Sequence, residues 1–326
     1  LTTLSEIDFT VEDADDRCRL DAVLCRQSGE SRAFVQAQID LGHVSVNATI
    51  AVKASQKLRP GDRVRAQFDI VLPAPALAPV AGPLEILFED ESLLAVNKAQ
   101  GVVVHPAAGH RGDTLVHYLL HHLATAPAFR ELSLSRPGIV HRLDRGTSGV
   151  LLVAKSRAAQ ENIAQQFKSR TIRKEYEAIV WGRPPIEGRF DSPIGRDRVN
   201  RKKMSSRTES GRSALTSYRT TRGFAHFAHL ALFPHTGRTH QLRVHLAEAR
   251  YPIVGDALYG GAFSPKRAER LGTAVRQELA AARETFLHAR QLILQHPSSG
   301  ETLVVQAPRP ENFDRLLAAL AQEDRR

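Results

Sequence analysis

Nine consecutive residues, His141-Arg142-Leu143-Asp144-Arg145-Gly146-Thr147-Ser148-Gly149, bring an imidazole, two guanidinium groups, a carboxylate and two hydroxyls into one stretch. Apolar runs flank it, Gly138-Ile139-Val140 before and Val150-Leu151-Leu152-Val153-Ala154 after. Charged residues between two apolar strands make a loop, and loops on a rigid scaffold are where binding and catalytic side chains are carried. Asp144 is either a reactive carboxylate or an acceptor for the backbone amides of a surface turn; the segment alone leaves both open. A second concentration of charge runs from Arg196 to Arg207, where Arg196, Arg198, Arg201, Lys202, Lys203 and Arg207 stand against Asp197. With Asn200, Ser205 and Ser206 between, it reads as a polar, flexible strip able to follow phosphates in a salt-dependent way, or as a solvated loop. His235, His240 and His245 are equally spaced, but a metal site needs ligands that converge with definite geometry.

The elements that must position these groups fall on either side of a proline-rich seam. Residues 73–83 hold four prolines and continue neither a helix nor a central strand, which makes them a stiff, extended spacer. We expect a first domain over 1–72, a linker over 73–83 and a second domain over 84–326, in keeping with a chain of 326 residues. In the first, Arg19-Leu20-Asp21-Ala22-Val23-Leu24 opens an amphipathic helix. Ser31 caps a second helix, Phe34, Val35, Ile39 and Leu41 recur along it at helical spacing, and Gly42 ends it. Val44-Ser45-Val46-Asn47 alternates as a strand, and the chain turns into another over 58–64.

In the second domain, 84–90 and 93–98 read as a hairpin pair, and Val150 to Ala154 as a buried strand. Ser156 caps a helix with Ile163 and Phe167 on one face. Glu175 to Trp181 alternates as a strand and stops at Gly182. From Pro310 onward, Phe313, Leu316, Leu317 and Leu320 line one side of a terminal helix. This mixture predicts an α+β fold whose second domain rests on a large mixed, mostly antiparallel β-sheet.

Lys plus Arg number 45 against 35 Asp plus Glu, a net charge of +10 and a pI of about 10.0. Such a surface attracts polyanions, either nucleic acid or an acidic membrane face. No apolar run approaches the roughly 20 residues of a transmembrane helix, and Leu1-Thr2-Thr3-Leu4-Ser5-Glu6 lacks the basic and apolar regions of a signal peptide. Cys18 and Cys25 form no CxxC pair and read as reduced thiols of a cytoplasmic protein. No P-loop and no GxGxxG signals a nucleotide cofactor.

Residues 141–149 match, at all seven specified positions, the HRLDxxTSG motif of the RluA family of RNA pseudouridine synthases. Further segments resembling that family follow in its order: Val102-Val103-Val104-His105-Pro106, Lys174-Glu175-Tyr176-Glu177-Ala178, Thr236 to His245 as TGRTHQLRVH, Pro252 to Gly260 as PIVGDALYG, and Leu287-His288-Ala289. The first domain resembles the S4 (αL-type) RNA-binding domain, whose pattern runs RLD, SR, G-V-VNG, GD-V. The chain departs from these patterns at three places. Gly146 stands where Asp is more usual, Ala99 replaces the Pro after Lys98, and Ala48 replaces the Gly after Asn47. Because Ala resists the positive φ that Gly accepts, we expect a turn of another type at Ala48.

The resemblance spans nearly the whole chain and is similar to the RluD-like branch, which joins an S4 domain to this catalytic domain and acts on large-subunit (23S) ribosomal RNA. It implies conversion of uridine to pseudouridine: the N1–C1′ bond breaks, the uracil turns, and it rejoins through C5. It implies Asp144 as the catalytic carboxylate, acting by attack at C1′, addition at C6 or proton removal from C2′. It implies Arg243 as the partner of that carboxylate, in a bidentate pair or as a structural ion pair in a sheet. Tyr176 becomes the face on which the base stacks, with a phenol able to assist proton transfer from C5. The target uridine must leave its stack, and Arg142 helps to hold it out. Arg32 and Lys53, with Arg196, Arg198, Arg201, Lys202 and Lys203, are candidate RNA contacts. The family needs neither cofactor nor metal. The expected partner is therefore large-subunit ribosomal RNA, free or in a precursor particle, met by a monomer in the cytoplasm without a membrane. The competing readings are a non-catalytic RNA-binding ribosome-assembly factor on the same fold and, last, an aspartate-based hydrolase.

Overall fold

The computed structural model describes residues 5–30, 32–68, 77–106, 114–124, 126, 138–200 and 202–325. The chain divides into two units, Leu1–Ala76 and Leu77–Arg326. In the first, β1 (Ser5–Thr10), α1 (Leu20–Ser28), α2 (Arg32–Asp40), β2 (Val44–Val46), β3 (Thr49–Ile50) and β4 (Arg63–Phe68) follow one another. The strands form an antiparallel sheet in the order β1-β4-β2-β3. Leu20, Val23, Leu24, Val35 and Ile39 of the helices share one core with Val44, Val64 and Phe68 of the strands. Asp21, buried at the start of α1, is held by the fork of Arg19 at 2.9 and 2.7 Å and by Arg32 at 2.9 Å. The Arg19 hydrogen bonds, aided by Arg32, hold its carboxyl down at about 2 against the opposing effect of burial. β1 was not expected; its Glu6-Ile7-Asp8-Phe9 alternation pairs along β4. Ser31, the expected cap of α2, lies outside the described residues.

The turn at Ala48 corrects the expectation. Val46 pairs with Thr49, so the loop has two residues, and both take positive φ, +51° at Asn47 and +63° at Ala48. That is the pattern of a type I′ turn. The pairing of β2 with β3 imposes it, and Ala48 bears the strain that Gly would not. Replacing Ala48 by Gly should therefore stabilise this unit by about 1 kcal/mol, net of the extra freedom Gly has when unfolded. Urea unfolding of the two proteins measures it; an unchanged or lower midpoint would show that the turn is relaxed.

In the second unit the strands are β5 (Glu85–Glu89), β6 (Leu93–Lys98), β7 (Ser148–Ala154), β8 (Arg173–Trp181), β9 (Glu187–Asp191), β10 (Gly195–Arg196), β11 (Met204–Ser205), β12 (Leu215–Gly223), β13 (Phe227–Pro234), β14 (Leu287–Gln295) and β15 (Thr302–Gln306). The helices are α3 (Leu115–His122), α4 (Arg157–Ser169), α5 (Gln241–Glu248), α6 (Pro265–Ala268), α7 (Thr273–Ala281) and α8 (Glu311–Glu323). Nine strands make one sheet in the order β5-β6-β7-β14-β8-β13-β12-β9, with β15 on β14. Every neighbouring pair is antiparallel except β7 and β14. The fold is thus α+β on a mixed, mostly antiparallel sheet.

Both faces of that sheet are covered. Leu151 and Val153 of β7 pack with α3, while Val150 and Leu152 pack with Ile163 of α4. β8 departs from simple alternation for the same reason: Ala178, Ile179, Val180 and Trp181 are all buried, as a strand covered on both sides requires. α8 lays Phe313, Leu316 and Leu320 into the core formed with β8, β13 and α5. Of the proline-rich stretch, 73–76 lie outside the described residues. From Leu77 the chain runs along α3, where the Val80 amide donates to the His117 carbonyl at 3.1 Å.

Candidate active site

The loop carrying Asp144 is pinned on both sides. Lys98, ending β6 and fully buried, donates from Nζ to the carbonyls of Ala99 at 2.8 Å, Val102 at 2.9 Å and Arg145 at 3.1 Å. The Gly101 amide also reaches the Arg145 carbonyl, at 2.9 Å. Burial lowers the Lys98 pKa to about 8, opposed by the carboxylates of Asp144 and Glu284. After the loop, Gly149 takes φ +113°, and any Cβ there would lie 2.1 Å from the Ala289 carbonyl oxygen. Only glycine lets β7 approach β14 this closely. Gly146 is confined in another way, since a Cβ would lie 2.9 Å from the Glu284 carboxylate. Arg145 pairs with that same carboxylate at 3.3 Å.

His141 belongs to the scaffold. Its Nε2 accepts the Leu152 amide of β7 at 2.8 Å, and its ring packs on Phe167 of α4 at 4.9 Å. Burial, reinforced by Lys174, brings its pKa down to about 3. The unfolded chain takes up this proton near pH 6.5. Between those values the unfolded state binds more protons, so stability falls as pH drops below about 6.5. His141→Gln should flatten that part of the curve of unfolding free energy against pH. An unchanged slope would mean that other groups set the acid response.

Opposite the loop stands α5, which carries Arg243. Its Nη1 donates to Asp144 Oδ2 at 3.0 Å. The expected bidentate fork goes elsewhere, with Nε and Nη2 donating to the two oxygens of Asp256 at 2.7 and 3.0 Å. Arg243 lies on a helix, so the expected ion pair in a sheet is corrected too. Asp256 is 1% exposed and Arg243 12%, against 22% for Asp144. The inner carboxylate therefore orients the guanidinium, and its remaining edge meets the accessible one. Burial opposes the charge on Arg243, but Asp256 and then Asp144 raise its pKa above the usual value.

Tyr176 projects from β8 into the cleft that holds Asp144. A cavity of about 170 Å³ is lined by Asp144, Tyr176, Arg243, Arg142, Leu143 and His240, among others. A second, of about 470 Å³, shares Arg142, Asp144, Thr147, His240 and Arg243 and extends towards Arg283 and Glu284. Burial, with the Asp144 charge, pushes the Tyr176 phenol well above its ordinary pKa. Tyr176 thus holds its phenolic proton firmly.

The structure gathers Asp144, Tyr176, Arg243 and Arg142 round one cleft. Among the described residues of the basic strip, the short strands β10 and β11 pair antiparallel, Arg196 with Met204. Asp197 accepts the amides of Val199 at 2.9 Å and Asn200 at 2.7 Å in its turn. Arg196, Arg198 and Lys202 are exposed on it, Arg198 pairs with Glu209, and Lys203 leans over Tyr259. Arg201 lies outside the described residues. Arg32, bonded to Asp21, and the exposed Lys53 belong to the other unit. The three spaced histidines find separate partners: His235 meets Ser217, His240 meets Tyr259, and His245 meets Thr216 and Ser192. Asp256, Tyr259 and Lys98 were given no role from the sequence, and His240 entered only as one of three spaced histidines weighed for a metal. The Asp-x-x-Tyr spacing was the available signal for two of them, since Tyr259 donates its amide to Asp256 at 3.2 Å.

Known proteins resemble this chain over most of its length. A family described as RNA pseudouridylate synthase matches residues 92–248, and the S4 domain matches residues 18–64. An uncharacterized RNA pseudouridine synthase of Chlorobaculum parvum is 39% identical, over 92% of this chain and 93% of its own. Ribosomal large subunit pseudouridine synthase D of Pseudomonas aeruginosa is 37% identical, over 94% of this chain and 92% of its own. Among solved structures, Human RNA Pseudouridylate Synthase Domain Containing 4 is 30% identical, with a TM-score of 0.55 over 73% of this chain and 93% of its own. Likeness that runs almost from end to end leaves no large part of the chain to another fold, and the protein belongs to the RNA pseudouridylate synthase family, with an S4 domain towards its N-terminus.

Proposed function

We propose that this enzyme converts specific uridines of large-subunit ribosomal RNA to pseudouridine, with Asp144 as the catalytic carboxylate on a flipped-out nucleotide. One observation carries the assignment of Asp144: its carboxylate, 3.0 Å from Arg243, opens into the cleft that Tyr176 lines. Such a carboxylate is accessible and held in one orientation by its guanidinium partner, as attack at C1′, addition at C6 or proton removal from C2′ would each require. The choice of RNA is supported by the names of relatives such as the Pseudomonas aeruginosa protein.

Tyr176 offers an apolar face for the uracil, and its raised pKa favours stacking over proton abstraction. Arg142, exposed at the lip of both cavities, supplies a cation beside the gap that base flipping leaves. The β10–β11 hairpin, with Arg196, Arg198, Arg201, Lys202 and Lys203, follows phosphates at the catalytic unit, and Arg32 and Lys53 do so on the S4 domain. Asp144, Tyr176, Arg243 and Arg142 line one cleft of the catalytic unit, and in this reading the enzyme acts as a monomer on ribosomal RNA in the cytoplasm. Among the described residues no helix is long and apolar enough to cross a membrane.

The test is purified protein incubated with a large-subunit ribosomal RNA transcript tritiated at uridine C5. Tritium should be released in an amount fixed by a small number of sites, because C5 exchanges its hydrogen for the new C–C bond. An RNA-binding protein that releases none would make the non-catalytic assembly factor the better reading.

A further inference from the structure

We propose that His240 is a further catalytic residue of this site: its Nε2–H donates a hydrogen bond to an oxygen of the uracil as the N1–C1′ bond opens, and Tyr259 fixes the tautomer that allows it. The proposal rests on the reading of the cleft as a uridine isomerase. When the N1–C1′ bond breaks, its electron pair leaves with the uracil, and the charge spreads over N1 and the carbonyl oxygens. A donor held where that charge develops accelerates the step, and no proton need leave the donor. Asp144 is assigned to the reaction itself and cannot also serve as this donor. Arg243 already directs three of its five N–H groups to carboxylates, Nε and Nη2 to Asp256 and Nη1 to Asp144.

His240 is placed to supply the missing donor. It lines both cavities that meet at Asp144, and its Nε2 lies 4.0 Å from Asp144 Oδ1. That separation is too long for a direct hydrogen bond, so Nε2 is left for a ligand atom lying beside the carboxylate. The other ring nitrogen is occupied, since Nδ1 lies 2.8 Å from the Tyr259 hydroxyl. That hydroxyl already accepts the Met204 amide at 2.8 Å, and in the proposed arrangement it donates its own proton to Nδ1. A neutral imidazole accepting at Nδ1 carries its hydrogen on Nε2, facing the cleft. Burial keeps the ring neutral by lowering its pKa, which Arg243 and Arg142 reinforce while Asp144 and Asp256 oppose it. The Tyr259 ring is itself held under the Arg243 guanidinium at 5.0 Å.

The backbone gives independent support. His240 caps α5 in the left-handed region, φ +57° and ψ +19°, with no side-chain cap. Caps are ordinarily extended, and a non-glycine residue keeps the left-handed region only where its surroundings over-determine it. Here the strain directs the imidazole into the cleft instead of over the end of the helix.

Single-turnover tritium release from the transcript tritiated at uridine C5, with RNA affinity measured in parallel, tests the assignment. His240→Phe should slow release about 100-fold while leaving affinity within about threefold. His240→Asn, whose side chain tolerates the left-handed backbone and still offers an N–H, should recover about tenfold of that loss and remains informative if the Phe variant fails to fold. Tyr259→Phe should slow release about tenfold, and ¹⁵N spectra of the His240 ring should show the Nε2–H tautomer losing its dominance. Any of three results overturns the proposal: His240→Phe and His240→Asn both within threefold of wild type, a loss of rate matched by an equal loss of affinity, or an Nδ1–H tautomer in the wild-type protein. Wild-type protein that releases no tritium would instead remove the parent reading of the cleft, and this assignment with it.

Discussion

Asp144→Asn is expected to lower pseudouridine formation by on the order of 10⁴-fold or more, the scale on which removal of a principal catalytic group acts. Asparagine keeps the size of the side chain and an oxygen that can still accept from Arg243 Nη1. It removes the negative charge, and with it the ability to attack carbon or take a proton. The fold should survive, because the buried fork of Arg243 is neutralised by Asp256 and not by Asp144. RNA affinity should stay within a few-fold of wild type, since phosphate contacts dominate it. Tritium release and filter binding on the same transcript separate the two effects. Near-normal turnover would reassign the chemistry, and lost affinity would recast Asp144 as a binding residue.

The second large effect belongs to Arg243→Lys. One ammonium cannot offer two parallel hydrogen bonds to Asp256 and a third to Asp144. Placed on either carboxylate, it leaves the other without its partner, and the inner one is almost wholly shielded from water. Leaving such a buried charge poorly compensated costs about 3 kcal/mol or more. Turnover should fall about 100-fold, because the carboxylate that remains is no longer oriented. Denaturant unfolding and tritium release measure the two consequences together. Wild-type values for both would mean that Arg243 neither supports the fold nor orients Asp144.

The central pieces of the cleft were legible because they sit in uninterrupted segments of distinctive composition. Asp144 stood out in a charged loop between apolar strands, and Arg243 and Tyr176 followed from segments resembling a known family. What a segment does not disclose is how its members divide their bonds. Arg243 lies 99 residues from Asp144, and Asp256, on the far side of the guanidinium, takes its fork. His141, the first residue of the conspicuous loop, turned out to brace β7, because a ring nitrogen meets the Leu152 amide only when the loop folds back on its own strand. Lys98 looked like the end of an apolar strand, and its three carbonyl partners come from two separate segments.

The fold was legible to the same degree. Helix spacing and strand alternation located most elements, and the mixed sheet followed from their sequence. Alternation failed at β8, where cover on both faces buries successive residues. Local preference failed at Ala48, where strand register sets the backbone against the residue's own inclination.

The most direct test of the whole assignment is to map pseudouridine in ribosomal RNA from cells that lack the gene and from the same cells complemented with wild-type protein or Asp144→Asn. One or a few large-subunit positions should revert to uridine in the deletion, return with the wild-type protein and stay absent with the variant. An unchanged map in the deletion, or full restoration by Asp144→Asn, would contradict it.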